Sequence, residues 1–261
     1  MTIVKHELKQ GRTAFLIWTG AIALLLGICI FLFPEMKGEM QGVSEIFSSM
    51  GAFTAAFGMD RLNFGSLTGY YAIECGNVLG LGGAFYAALV AVDILSKEER
   101  MHTADFLLTH PVSRTRIMTE KLISVLLRVT ALSLINYLVS VLSMTAIGEK
   151  IPWKAVNLLH LAYFLLQLEI AALCFGISAF VKRGSAGVGL GIAALFYFMN
   201  LIANITESAA VLKYFTPFGY CDGADIVSGG KLDGGILAAG MALAALGLAA
   251  AYLSYPKKDI A

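Results

Sequence analysis

Charge is scarce in this chain of 261 residues. Only 14% of the residues are charged and 58% are hydrophobic, whereas a soluble domain is about half apolar and about a quarter charged. Mean hydropathy is +0.76, and the apolar residues lie in long blocks. The composition therefore predicts an integral membrane protein. A net charge of +1 gives no indication of a basic surface for nucleic acid.

Motifs for catalysis and metal binding are also missing. The four cysteines form no C-x-x-C pair, so neither a zinc site nor a disulfide framework is indicated. No G-x-x-x-x-G-K-[ST] loop occurs, and the glycine-rich run 184–189 has no lysine to reach a phosphate. The E-E-x-x-x-R motif of some intramembrane proteases fails, because Thr103 stands in place of the arginine. We therefore predict no catalytic residues, no metal ligands and no cofactor on this chain.

Six apolar stretches are each near the roughly 20 residues that cross a hydrocarbon core of about 30 Å. The predicted spans are residues 13–33, 71–92, 122–147, 155–181, 186–205 and 234–255. The expected fold is therefore an all-α integral membrane protein, with residues 1–261 as one transmembrane domain.

Three polar segments between and before the spans show helical periodicity. Residues 1–12 set apolar against charged side chains, Glu7 among them, which predicts an amphipathic helix on the membrane surface; a frayed basic tail is the alternative. Pro34 is expected to end the first span, and residues 42–58 to form a separate amphipathic helix at the outer face. Residues 206–233 are expected to be a second, partly amphipathic outer segment.

Lysine and arginine are shared unequally between the two sides of the predicted bundle. One side carries Lys5, Lys9, Arg12, Lys97, Arg100, Arg114, Arg116, Lys121, Lys182, Arg183, Lys257 and Lys258. The other carries Lys37, Arg61, Lys150, Lys154, Lys213 and Lys231. Because the richer side is usually cytoplasmic, we expect both termini and residues 93–121 inside the cell, with the chain in the plasma membrane.

Residues 93–121 are a charged interruption between the second and third spans. Ser96 followed by Glu99 has the spacing of a capping box, which predicts a helix from Lys97. Pro111 should end that helix, and Ser113 can cap a second one that runs into the third span. The polar face carries both signs of charge, which favours a protein partner. A helix lying on lipid, usually rich in lysine and arginine, is the alternative.

Residues 98–114, reading EERMHTADFLLTHPVSR, and the later Lys121 resemble a signature of the type-two ATP-binding-cassette (ABC) permeases. In that family the pattern is roughly E-E-[RK]-x-G-T-x-[ED]-x-L-L-[ST]-x-P-[VI]-[ST]-R, from which His102 departs. The resemblance implies that this loop is the coupling helix, seated in a cleft of an ATPase subunit. The residues that it assigns to docking are Glu98, Glu99, Arg100, Thr103, Asp105, Phe106, Leu107, Pro111 and Arg114.

The same resemblance implies that this chain works with other protein chains. It implies an ABC ATPase in two copies, which holds ATP and Mg, and a second permease chain, either identical or related. The expected cargo is an amphipathic or hydrophobic substrate, such as a peptide, a drug or a lipid-like molecule. The alternative is a non-transporting membrane subunit of a sensor or cell-envelope remodelling complex that uses the same coupling helix.

Two polar side chains within the spans are candidates for a substrate path. An ionised carboxylate is costly in the bilayer, so Glu169 either lines a path or a dimer seam, or bonds to another helix and holds the bundle together. Asn200 lies on one face with Asn204, four residues on, and has the same two interpretations.

Overall fold

The computed structural model describes residues 2–101, 112–181 and 185–258, with side chains at all of these except 39–49 and 207. The described residues are mostly helical and include no strand. Six of their helices are long and apolar enough to cross a membrane: Arg12–Gly38, Leu67–Ala91, Arg114–Ala146, Trp153–Phe180, Ala186–Ile205 and Gly234–Lys257. These are called the first to sixth spans. The prediction of an all-α protein with six spans is confirmed.

The first span belongs to a helix of 38 residues, Arg12–Ser49. The predicted end at Pro34 is wrong, because this proline lies inside the helix. Proline has a helical φ angle, and the loss of one backbone hydrogen bond can be tolerated in a membrane helix. The helix stops just before Gly51, whose φ of 61° favours glycine. The separate helix expected over 42–58 is therefore absent, and only Ala52–Ala56 forms a short helix of its own.

The second span changes its winding partway along. An α-helix over Leu67–Cys75 leads into a π-helical segment, Gly76–Leu81, and then into a second α-helix, Gly82–Ala91. The π-helical segment packs on the fourth span, where a Cβ atom at Gly80 would lie 3.0 Å from the ring of Tyr163. Such segments are rare and are often found at functional sites.

The fourth span is the centre of the bundle. It is the most buried of the six, with 67% of its most apolar window covered by the rest of the chain. It meets the sixth span at two glycines: a Cβ atom at Gly176 would lie 2.7 Å from the backbone oxygen of Gly247. Small residues allow such close contact between helices in a membrane.

Both described ends of the chain lie at one end of the bundle, together with residues 93–101 and 112–113. We call this the terminal end. The helix Thr2–Gln10 packs there against the third span and buries Val4 and Glu7. The third span begins at Arg114, and Ser113 caps it by accepting a hydrogen bond from the Arg116 backbone N–H at 3.3 Å. The predicted Ser113 cap is confirmed.

The opposite end of the bundle is called the distal end. Its short elements are Ala52–Ala56, the 3-10 helix Met59–Arg61, the 3-10 helix Glu207–Phe215 and the α-helix Gly223–Gly229. The last of these is capped by Asp222, whose carboxylate accepts from the backbone N–H groups of Ala224 and Asp225. These elements cover the ends of the second, fourth and fifth spans.

We predict that Gly176→Ala lowers the free energy of unfolding by about 1–3 kcal/mol, because the new methyl group forces the fourth and sixth spans apart. Unfolding in mixed detergent micelles measures this loss. Gly20→Ala is the matched control, because no atom lies within 4 Å of the added carbon. Equal stability of the two variants would contradict the close contact.

Candidate functional site

The segment after the second span leads into a short helix, Lys97–Arg100. The Ser96 side chain makes no capping bond to it, so the predicted capping box is wrong. Its hydroxyl instead donates to the Asp93 carbonyl at 3.4 Å. The Glu99 carboxylate accepts a hydrogen bond from Lys258 Nζ at 2.7 Å, and this charged partner takes the place of the backbone group that the box required.

Lys121, at the base of the third span, is fully buried. Its ammonium group donates to Glu98 Oε1 and, at 2.5 Å, to the carbonyl oxygen of Ile94. Glu7 Oε1 lies 3.6 Å from the same nitrogen. A buried charge is tolerated only when it is paired and hydrogen-bonded, so these contacts are what allow Lys121 to stay inside the protein.

Glu7 joins this lysine to a second one. Its other oxygen, Oε2, accepts a hydrogen bond from Lys97 Nζ, which also donates to Gln10 Oε1 at 2.8 Å. Two carboxylates and two ammonium groups therefore form a balanced set, Glu7, Lys97, Glu98 and Lys121, which we call the ion cluster. It ties the N-terminal helix, the start of the charged loop and the third span to one another.

The C-terminal residues bind the same region. Besides its bond to Glu99, Lys258 Nζ donates to the Val181 carbonyl at 3.3 Å. Arg114 Nη1 donates to the backbone oxygens of Pro256 at 3.3 Å and Lys258 at 2.5 Å. The end of the sixth span is therefore fastened to the loop on one side and to the third span on the other.

The structure places four of the nine predicted docking residues. All four bind groups of their own chain. Arg100 differs in that its side chain is 42% exposed, although it donates to Asp93 Oδ2 at 2.8 Å. Met101 beside it is 54% exposed. Thr103, Asp105, Phe106, Leu107 and Pro111 lie outside the described residues. At the start of the loop, Arg100 and Met101 are therefore the side chains that a partner can reach.

Sequence reasoning did not connect Lys97, Lys258 and Glu7 to this site. One signal was available for Glu7. It lies three residues after Val4, so both share a face of the N-terminal helix, and that face is the buried one. An ionised acid on the buried face of a helix is stable only when a cation or hydrogen-bond donors pair with it.

Glu169 faces the sixth span, not an open path. It is 1% exposed, and its Oε1 accepts a hydrogen bond from the Tyr220 hydroxyl at 3.1 Å. Burial, and then the neighbouring Cys221 and Glu169, raise the pKa of Tyr220, so this hydroxyl keeps its proton and donates. A Cβ atom at Gly240 would lie 2.3 Å from Glu169 Oε2, so the carboxyl group fills the space that this glycine leaves. The contacts favour helix packing as the role of Glu169.

Asn200 and Asn204 lie together, as their spacing predicts, and both line a small cavity at the distal end. Asn204 Nδ2 donates to Asp222 Oδ2 at 3.0 Å and to the Ala56 carbonyl at 3.2 Å. The residues that the structure describes contain no group of three or more His, Cys, Asp or Glu side chains placed to hold a metal ion.

Six apolar spans, with both described ends of the chain at one end of the bundle, define a multi-pass helical membrane protein. The family described as ABC-2 family transporter protein matches residues 1–260, so the chain belongs to this family. It is thus a permease, the membrane subunit of an ABC transporter, and such permeases normally work with an ATPase subunit. The predicted membership of the ABC permease family is confirmed. No curated protein matches the chain.

We predict that Lys121→Met lowers the free energy of unfolding by about 3–5 kcal/mol, because Glu98 is left buried without its cation. Adding Glu98→Gln should restore part of the loss. Unfolding in mixed micelles measures both variants.

The control for this prediction is the exposed pair Lys37–Glu149, at 2.7 Å with side chains 45% and 28% exposed. Lys37→Met should cost less than about 1 kcal/mol. If Lys121→Met costs no more than Lys37→Met, the ion cluster does not stabilise the terminal end.

Proposed function

We propose that this permease is the transmembrane subunit of an ABC exporter, driven by a separate ATPase that docks on the charged loop at the terminal end. The observation that carries the proposal is the ion cluster. It fixes the start of the loop through Lys97 and Glu98, and it leaves Arg100 and Met101 of the family signature exposed.

The proposed coupling follows from the same contacts. ATPase closure on the loop moves Lys97 and Glu98. Because these residues bind Glu7 and Lys121, the N-terminal helix and the third span move with them. The Glu99–Lys258 pair extends the movement to the end of the sixth span. Ion pairs at this position thus transmit force from the loop to three separate parts of the bundle.

Orientation and location are part of the proposal. The terminal end carries most of the lysine and arginine residues, which supports a cytoplasmic position for both termini and the loop. At the distal end several cations are neutralised by neighbouring acids, as in Lys37–Glu149 and Arg61–Asp222. The proposed location is the plasma membrane, with the ATPase on its inner side.

The complete transporter contains two ATPase copies and two permease chains in this proposal. ATP and Mg bind to the ATPase, because this sequence has no phosphate-binding loop. The first, fifth and sixth spans have only 28%, 22% and 22% of their apolar windows buried. They therefore offer apolar surface to lipid and to a second permease, either identical or related.

The proposed cargo is an amphipathic or hydrophobic molecule, which the family resemblance supports. A non-transporting role in sensing or envelope remodelling uses the same docking loop, and only a flux measurement separates the two. Uptake of a fluorescent amphipath into inside-out vesicles that hold the permease and its ATPase provides this measurement. ATP hydrolysis without ATP-dependent uptake would favour the non-transporting role.

We predict that Met101→Glu lowers the ATPase activity that co-purifies with the tagged permease from native membranes at least tenfold. A new charge at an apolar contact is unpaired and must be desolvated on docking. Met50→Glu is the matched control, because Met50 is 49% exposed but lies at the distal end.

Both variants must show the same yield and the same melting temperature as the unaltered chain. Undiminished ATPase activity with the Met101→Glu permease would place the ATPase elsewhere. Loss with Met50→Glu as well would show that the effect is not local.

A further inference from the structure

A cavity of about 60 Å³ lies at the distal end, between the second span, the fifth span and the start of the helix Gly223–Gly229. Its polar lining comes from three elements: Asn77 of the second span, Asn200 and Asn204 of the fifth, and Asp222. The rings of Tyr163 and Tyr197 complete it. Neither ATPase docking nor the ion cluster involves this cavity.

Two amide oxygens at the cavity have no hydrogen-bond partner. Asn200 is only 8% exposed, and its Oδ1 is buried and unpaired. Asn204 Oδ1 is also buried and unpaired, and the orientation of this amide is fixed because its nitrogen donates to two acceptors, Asp222 and Ala56. A buried acceptor without a donor costs free energy, so both oxygens favour a ligand that brings N–H or O–H groups.

The neighbouring hydroxyl groups do not supply these donors. Tyr163 donates its proton to the Cys221 carbonyl at 3.2 Å, and Tyr197 donates to Asn77 Oδ1 at 3.4 Å. Their rings nevertheless line the cavity, and the face of an aromatic ring attracts a cation. The lining thus offers acceptors and ring surfaces, while the hydroxyl donors of its two tyrosines are already engaged.

Asp222 lines the cavity, and the charged group to which it belongs also favours a cation. Arg61 pairs with Asp222 at 3.1 Å and with Asp225 at 2.5 Å, and Lys213 lies 3.4 Å from Asp225. Asp60 adds a third carboxylate 4.0 Å from Arg61, which leaves the group with one net negative charge. A negative surrounding raises the local concentration of cations.

The backbone keeps the cavity narrow on the side of the second span. Gly76 begins the π-helical segment and lines the cavity, and a Cβ atom there would lie 2.9 Å from the Tyr163 hydroxyl. Gly223 approaches the same span so closely that its Cβ atom would lie 2.9 Å from the Ala72 carbonyl. One water molecule needs about 10–15 Å³ of cavity volume. The cavity of about 60 Å³ therefore suits a few waters or one ammonium group, not a whole amphipathic molecule.

We propose that this cavity binds the primary ammonium group of an amphipathic amine, with Asn200 and Asn204 as acceptors and the rings of Tyr163 and Tyr197 beside the charge. The ligand is either a free amphipathic amine or an aminophospholipid, since both carry the same group. The proposal concerns binding alone and stands whether or not the permease transports its ligand.

The test is equilibrium binding of radiolabelled dodecylamine to the permease in phosphatidylcholine nanodiscs, with empty nanodiscs subtracted. Saturable binding is expected. Asn200→Leu, which removes the acceptor but keeps the size, should weaken it at least tenfold. Dodecyltrimethylammonium has the same charge without N–H groups and should compete at least tenfold less well than unlabelled dodecylamine. Equal competition would overturn the role of the amide oxygens.

The matched control is Asn136→Leu. Asn136 is fully buried in the third span, its Nδ2 donates to the Leu132 carbonyl at 2.9 Å, and its Oδ1 is also unpaired, but it does not line this cavity. Its replacement should leave dodecylamine binding within twofold of the unaltered chain. A loss as large as that of Asn200→Leu would overturn the proposal.

A second variant covers the case in which Asn200→Leu does not fold. Asn200→Asp keeps the shape and adds negative charge, so it should bind dodecylamine several-fold more tightly. Binding that is unchanged by Asn200→Asp would also overturn the proposal and leave the cavity as a water site.

The two sources of the ammonium group are separated by adding phosphatidylethanolamine to the nanodiscs. If the lipid headgroup occupies the cavity, dodecylamine binding to the unaltered chain falls, and phosphatidylethanolamine enriches with the purified protein. If dodecylamine binding is unchanged, the ligand is a free amphipathic amine. Both results support the ammonium site and differ only in which molecule fills it.

Discussion

The burial of one lysine ammonium group constrains the whole terminal end of this permease. Removing such an ion from water costs several kcal/mol even after relaxation, so Lys121 requires carboxylates nearby. Glu98 comes from the loop after the second span and Glu7 from the N-terminal helix, and neither is close to Lys121 in sequence. The need to pair this charge therefore holds three parts of the chain in place.

The ion cluster differs from an apolar core in how it can change. Ion pairs depend on a few atoms and can exchange partners, whereas interdigitated apolar side chains resist small displacements. Glu7 already contacts both Lys97 and Lys121. If the loop moved, each lysine would therefore have a carboxylate at short range. Closely packed glycines join the fourth and sixth spans farther along the bundle, and such a contact resists small displacements.

Much of this fold could be predicted because each membrane span is a run of about 20 mostly apolar residues. The local Ser113 cap was also predictable, because it depends on residues three apart. The errors have tertiary causes: Pro34 fits a helix that the rest of the bundle supports, and Glu99 is taken by Lys258, which is remote in sequence. The π-helical segment left no signal beyond its glycines. The family signature predicted a docking loop, but not that its first two acids bind their own chain.

The long first helix has a mechanical consequence. At 1.5 Å per residue its 38 residues extend about 57 Å, well beyond a hydrocarbon core of about 30 Å. This helix directly follows the N-terminal helix, whose Glu7 belongs to the ion cluster. A tilt of about 10° would carry its far tip sideways by about 10 Å. A small tilt at the start of this helix would thus become a large displacement at the distal end.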